Sequence, residues 1–319
     1  MKLVLTGSIA FDYLMSFPGT FSHHFLPDKL DHISVSFLVD SLKKQRGGVA
    51  ANIAYSLALL GEKPLLFGTV GKDFGPYREE LESVGVDTSG VKAFDDEYTA
   101  SCFINTDQDG SQIVSFYTGA MRFAKDHALN HATKEGDALV VVSPNDPAAM
   151  ADHPAACRRL GIPFVYDPSQ QIARLDGNAL KTGLEGAKML VLNDYELGMF
   201  KKKTSLDDAG LMEHAETVVV THGDRGSEIR TQKETIAVPV ASPERILDPT
   251  GVGDAFRAGL LKGVVHGLPW YVAGRMGSLA AAYVLETDGP QNHSYDINAF
   301  VKRYGRVFGE SEHLGRLII

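Results

Sequence analysis

Residues 248–256, Asp-Pro-Thr-Gly-Val-Gly-Asp-Ala-Phe, concentrate more potential chemistry than any other stretch of the chain. Gly251 and Gly253 let the backbone turn tightly, and the run that follows has helical spacing. The first amides of a helix lack carbonyl partners and its dipole favours negative charge there, so Gly251, Val252 and Gly253 are a candidate anion hole. Asp254, a carboxylate inside such a site, has a use if it takes the proton of a hydroxyl that attacks a bound phosphoryl group. Two other readings stand beside this one. Asp254 could be an ordinary helix-start acid, worth at most about 1 kcal/mol. The turn could also hold a dinucleotide, but that fingerprint needs a third glycine where Phe256 stands and normally follows the first strand.

Four other clusters suit a phosphoryl-transfer site. Asn193 and Glu196 open a helix after a strand and face one way, so an amide and a carboxylate there could order the water shell of Mg²⁺. Helix capping explains the pair equally simply. Thr221, His222, Gly223, Asp224, Arg225 and Gly226 follow another strand end, where ligands of open α/β sheets collect, and their glycines, hydroxyl and guanidinium suit a triphosphate. A plain turn is the alternative. Ser8 and Asp12 lie just beyond the first strand, and Gly47-Gly48 enters a helix carrying Asn52. A carboxylate, an amide and exposed backbone are what a vicinal diol needs, because each hydroxyl both donates and accepts. No Walker A, protein-kinase catalytic loop or zincin pattern occurs. The 11 histidines show no paired metal-site spacing.

The elements that must position these groups alternate between strand-like and helix-like, which predicts an α/β fold with a mainly parallel sheet flanked by helices. Strands are expected at 2–5, 65–70, 138–143, 164–166, 189–192 and 218–221, and helices at 48–60, from Asp73 as cap to 84, 252–266, 269–285 and 296–307. Segments 33–39, 99–105 and 112–118 break this rhythm. They read as antiparallel strands of a small projecting β-sheet able to cover a site, the last two joined by the Asp109-Gly110 turn. No linker or repeat divides the chain, so residues 1–319 are expected to form one domain, with lid strands from about 13–40 and 98–119.

Composition narrows the partners. The chain has 319 residues, of which 44% are hydrophobic, enough for a sizeable core. A net charge of −9 argues against nucleic acid. Two cysteines, Cys102 and Cys157, cannot build a disulfide framework and fit a reducing compartment. The N-terminal residues lack signal-peptide character, and no apolar run approaches the roughly 18 residues of a membrane helix. The expectation is a cytoplasmic protein with no membrane partner.

Taken together, Asp12, Gly47-Gly48, Asn193-x-x-Glu196, Thr221-x-Gly223 and the 248–254 signature resemble the ribokinase-like (PfkB) carbohydrate and nucleoside kinases, in family order across nearly the whole chain. Segments 35–39, 115–121 and 167–171 resemble the adenosine kinase branch in particular. The resemblance implies an ATP- and Mg²⁺-dependent kinase that phosphorylates adenosine at the ribose 5′-hydroxyl. It makes Asp254 the base and the 251–253 amides the anion hole, with Arg174 near the transferred phosphate. Asn193 and Glu196 would order metal and phosphate, and residues 221–226 would bind ATP. Ser8, Asp12, Ser36, Gly48 and Asn52 would grip the ribose; Phe116, Met121, Gln170 and Gln171 would form the base pocket. Cys102 departs from the aromatic residue expected near the lid, and Val252 replaces the usual Ala. K⁺ stimulation near Asp248 and Thr250, and a homodimer through the lid, are further implications. Kinases of ribose, fructose or another nucleoside share all the catalytic residues. A nucleotide-dependent oxidoreductase and a non-catalytic nucleoside-binding protein are rivals of other classes.

Overall fold

The computed structural model describes residues 1–26, 31–129 and 138–317. In chain order the first half comprises β1 (Lys2–Thr6), β2 (Ala10–Ser16), β3 (Ser41–Gly47), α1 (Val49–Leu59), β4 (Leu65–Gly71), α2 (Gly75–Ser83), β5 (Asp87–Phe94), β6 (Ala100–Thr106) and β7 (Gln112–Tyr117). Then follow β8 (Ala138–Val142), α3 (Pro147–Leu160), β9 (Phe164–Tyr166), α4 (Gly177–Leu184), β10 (Met189–Asn193), α5 (Asp194–Thr204), α6 (Asp208–His214) and β11 (Thr217–Thr221). The chain closes with β12 (Ser227–Thr231), β13 (Thr235–Val238), α7 (Val252–Val265), α8 (Trp270–Leu285) and α9 (Ile297–Phe308).

The large sheet runs β13-β12-β11-β10-β9-β8-β1-β4-β5. It is parallel from β11 to β5, and β12 and β13 add antiparallel at one edge. Its central strands are apolar on both faces because helices cover both. Leu3, Leu5, Leu139, Val141 and Val191 point to the side packed by α1 and α7. Their neighbours Val4, Val140, Val142, Leu190 and Leu192 point to the side packed by α3, α4 and α5. From β1 the order passes to β4 on one side and to β8 on the other, which opens a crevice at the carboxyl ends of the central strands. Among the described residues no helix is long and apolar enough to cross a membrane.

A second sheet, β3-β2-β6-β7, stands over that crevice. Its members differ from the sequence expectation in two respects, the first being that β2 and β6 run parallel where antiparallel strands were expected. Residues 33–39 form no strand; they are coil in which Phe37 packs on Phe17 and Phe21, ring centroids 5.1 and 4.8 Å apart. The apolar pattern there serves an aromatic anchor. The strand instead is the polar run Ser41–Gly47, antiparallel to β2 throughout. Tertiary pairing overrides its weak β propensity: Lys43 forms an ion pair with Asp288, Gln45 donates to Asp288 at 3.2 Å, and Arg46 pairs with Glu80 at 2.9 Å. Asp73 is likewise not the cap of α2, which begins after Phe74 without a side-chain cap; its Oδ1 accepts the Thr99 N–H at 2.8 Å instead and ties the root of β6 to the body.

Candidate active site

Two cavities meet at the N-terminus of α7. The first, about 440 Å³, lies between body and lid and is lined by Ser8, Asp12, Gly48, Asn52, Cys102, Val114, Phe116, Met121, Gln170, Gln171, Arg174, Gly251 and Asp254, among others. The second, about 630 Å³, is lined by Asn193, Thr221, Gly223, Asp224, Gly226, Val252 and Gly253, with an apolar wall that includes Val240, Ile246 and Ala281. The signature turn is therefore shared, with Gly251 and Asp254 facing one space and Val252 and Gly253 the other.

Local geometry explains the glycines. Gly251 caps α7 at φ 80°, a left-handed conformation, and a Cβ there would lie 2.4 Å from Pro290. The Val252 N–H closes onto the Pro249 carbonyl at 3.3 Å, whereas the N–H groups of Gly251, Gly253 and Asp254 remain for an anion. Gly48, at φ 94°, precedes α1, and a Cβ would meet the Ser8 carbonyl at 2.5 Å. The Ser8 hydroxyl accepts the Val49 N–H at 3.0 Å, which fixes the start of that helix.

Asp254 is only 8% exposed, and its carboxylate is held on both sides. Asn52 Nδ2 donates to Oδ2 at 2.8 Å, and Arg257 Nη1 stands 3.6 Å from Oδ1. Behind Asn52 a chain of bonds runs into the body: Gln291 Nε2 donates to Asn52 Oδ1 at 2.7 Å and to the Tyr77 hydroxyl at 2.5 Å, and Tyr77 donates to the Gly47 carbonyl at 2.9 Å. Burial raises the Asp254 pKa above the ordinary aspartate value, with Arg257 and Asn52 opposing that rise. Asp12 is pushed up to about 6, first by burial and then by the charges of Asp254 and Asp248. Burial raises the fully buried Asp167 above the ordinary aspartate value, and the Arg257 guanidinium bonded to it opposes that rise. Asp12 and Asp254 both line the first cavity, and Asp254, at the start of α7, is placed to accept a proton from a hydroxyl held there.

The remaining expected residues divide. Asn193 and Glu196 form a reciprocal capping box at 2.8 Å in each direction, and Ser169 donates to Glu196 Oε1 at 3.1 Å. Both side chains are thus fixed; Asn193 lines the second cavity, whereas Glu196 lines neither cavity. Among the described residues no group of three or more His, Cys, Asp or Glu could cage a metal. Such a donor set fits Mg²⁺ held through water and substrate phosphates rather than by protein alone. His222 and Arg225 do not line the second cavity; Arg225 donates to Asp194 at 2.7 Å, and His222 lies between Asp194 and Glu228. Ser36 falls on the exposed coil that replaced the expected strand and lines neither cavity, because the chain there is anchored by Phe37 instead. Arg174 lines the first cavity and makes no side-chain ion pair or hydrogen bond among the described residues.

Gln171 donates Nε2 to the Asn145 carbonyl at 2.9 Å, and its Oε1 is buried without a partner. Gln170 is exposed at the rim and accepts from Ser169. Arg257, Asp167, Gln291 and Tyr77 carry no spacing signal of their own. Arg257 alone had a visible clue, a cation one helical turn after Asp254 on a helix otherwise apolar at its start.

Against known proteins, the model of the pfkB family carbohydrate kinases matches residues 24–297. A nucleoside kinase of Methanothermobacter thermautotrophicus is 31% identical over 310 residues, 96% of each chain. The structure of a Burkholderia thailandensis nucleoside kinase in complex with inosine superposes with a TM-score of 0.85 at 35% identity, covering 97% of this chain and 98% of the other. The same kinase in complex with ADP-inosine gives 0.83 at 36% identity, with 98% of each chain covered. The chain belongs to the pfkB family of carbohydrate kinases and is an ATP-dependent kinase of nucleosides or sugars with the ribokinase-like fold.

Proposed function

We propose that the protein transfers the γ-phosphate of ATP to the 5′-hydroxyl of adenosine, giving AMP and ADP. The carrying observation is the two-sided first cavity: Asp254, Asn52, Asp12 and Ser8 on its polar side, and Phe116, Val114 and Met121 on its apolar side. A ribose fits the first set and a flat base the second. A bare sugar would leave the apolar wall facing water. In the step proposed, Asp254 takes the 5′-hydroxyl proton, the freed oxygen bonds to the γ-phosphorus, and the bond from that phosphorus to the β,γ-bridging oxygen breaks, so that ADP leaves. The Gly253 and Asp254 amides and the α7 dipole hold the charge of the phosphoryl oxygens as it redistributes. Mg²⁺, ordered through water by Asn193 and Glu196, would neutralise phosphate charge when bound.

Inosine is the second reading, favoured by the likeness to a kinase solved with inosine. Gln171 lines the first cavity, and a glutamine amide suits the adenine amino group and the hypoxanthine N1–H alike. Purified protein offered adenosine, inosine, ribose and fructose with ATP and Mg²⁺ tests the proposal. Adenosine is expected to give the highest kcat/KM, and a bare sugar in first place overturns the nucleoside reading.

Two further parts of the proposal concern surroundings. Asp248 accepts from Thr250 N–H at 2.8 Å and Gly289 N–H at 3.0 Å, which shapes a loop whose carbonyls suit K⁺. On the outer lid face Tyr13 stacks on Phe103 at 4.8 Å beside exposed Leu42, Ile113 and Tyr117, an apolar patch suited to a second copy of the chain. Replacement of K⁺ by choline in the assay, and sedimentation over a range of concentrations, check these two parts.

A further inference from the structure

Arg257 is a buried cation that neither the nucleoside grip nor the triphosphate site requires. It is 8% exposed, its Nη2 donates to Asp167 Oδ1 at 2.7 Å, and its Nη1 stands 3.6 Å from Asp254 Oδ1. Asp167 is fully buried; its N–H donates to the Val142 carbonyl at 2.9 Å, and its Oδ2 accepts from Ser143 at 3.3 Å, so the anchor belongs to the ends of two central strands. The guanidinium also packs against Gly253, where a Cβ would lie 2.9 Å from Nη1. Apolar side chains of the same volume commonly stabilise a fold at least as well as a buried ion triad, so stability alone does not explain this one.

We propose that Arg257 is a positioning residue for the base: anchored by Asp167, it holds Asp254 Oδ1 while Asn52 holds Oδ2, fixing the carboxylate plane under the acceptor hydroxyl and favouring its ionised form. The inference rests on Asp254 being the base. The groups around Asp254 make the electrostatic part specific. Asp12 from β2, Asp167 from the turn after β9 and Glu196 from α5 bring negative charge, Tyr77 from α2 is neutral, and Arg174 is a cation lining the same cavity; Arg257, 3.6 Å from the carboxylate, is the cation that opposes its burial. Without it, Asp254 would hold its proton to higher pH and the base would be lost first at the acid end.

The test is the pH profile of kcat for the intact enzyme and the variants Arg257→Gln, Arg257→Lys, Asp167→Asn and Asp254→Asn. Arg257→Gln is expected to lose about tenfold more on the acidic limb than on the plateau, the size of effect a neighbouring opposite charge exerts. Arg257→Lys restores the acid-side rate because it keeps the charge. Asp167→Asn removes an acid while leaving the cation, so its acidic limb moves to lower pH, the opposite direction. A loss in Arg257→Gln that is uniform across pH, as a merely structural role would give, overturns the inference. If thermal melting shows Arg257→Gln unfolded, Asp167→Asn decides, and an unmoved or raised limb there is the overturning result. Near-normal turnover in Asp254→Asn defeats the base reading and the inference with it. An inactive Asp254→Asn beside a pH-independent Arg257→Gln loss defeats the inference alone.

Discussion

On the body side of the acceptor cavity, Asp254 and Asn52 are 8% and 5% exposed, and each side chain is tied into a chain of hydrogen bonds that reaches Tyr77 and Gly47. On the lid side, Phe116 and Val114 are 47% and 53% exposed and every residue of β7 faces solvent to a large degree. The body side is set before any ligand arrives: its polar groups are desolvated and aimed by partners that cannot easily shift. The lid side has apolar area whose burial awaits a ligand. Groups of the first kind should act mainly on turnover, and groups of the second kind on affinity and selectivity. Each variant below bears on that division.

The largest effect is expected at Asp254. Asp254→Asn should keep the fold and nucleoside binding while kcat falls at least about 10²-fold, the lower range of general-base contributions. Isothermal titration with nucleoside, alongside turnover, reads both quantities. Turnover near the normal rate would return Asp254 to the role of a helix-start acid.

Next comes Asp12, at the seam, on a lid strand with its carboxylate turned toward the body. Leaving a substrate hydroxyl unpaired in a closed site costs on the order of 1–3 kcal/mol, so Asp12→Ala should lower kcat/KM for the nucleoside by about tenfold or more. ATP affinity should hardly move. Calorimetry that finds ATP binding lost and nucleoside binding kept would mean the two cavities are assigned the wrong way round.

Much of the site was legible because its chemistry depends on backbone. A tight turn needs glycine, an anion hole needs a helix start, and both leave marks such as Gly251-x-Gly253-Asp254 in one short stretch. The parallel strands were legible for a similar reason, since burial on both faces demands uninterrupted Val and Leu runs. What escaped was set by contacts distant in sequence. Asn52 stands in the acceptor cavity as expected, but its second role, a bond from Nδ2 to Asp254, spans 202 positions. Asn193 and Glu196 bond first to each other. Ser41–Gly47 is a strand because β2 and Asp288 hold it, not because its residues favour one. Arg257 and Asp167, 90 positions apart, acquire meaning only when the sheet brings the end of β9 against α7.

Phe116 tests the lid half of the comparison. Phe116→Ala removes ring area that only a bound base would bury, so the nucleoside KM should rise roughly tenfold while kcat changes little, in line with the ~1.5–3 kcal/mol of a fully buried phenyl and its partial exposure here. Steady-state kinetics with adenosine and inosine read this directly. A fall in kcat that matches the fall in kcat/KM would show that the lid helps to set the reacting geometry, and the division between the halves would fail.

The smallest effect concerns stability, and it separates the halves without any substrate. Burial together with the Asp254 and Asp248 charges holds the folded Asp12 pKa at about 6, above its ordinary value of 3.8. Between those two values the folded protein binds more protons than the unfolded chain, so this group lowers stability as pH rises through that window, and the full cost is present at neutral pH. Asp12→Asn should therefore raise Tm by a few degrees near neutral pH and leave it unchanged below the ordinary aspartate range, where the acid is already uncharged in both states. Phe116→Ala, taken from a surface that is half in water, should leave Tm nearly unchanged at both pH values. Calorimetric melts of the two variants at the two pH values make the comparison. Equal Tm shifts for both, or an Asp12→Asn gain that persists in acid, would mean that the acceptor side carries no stored electrostatic cost and that its acids are better solvated than their burial implies.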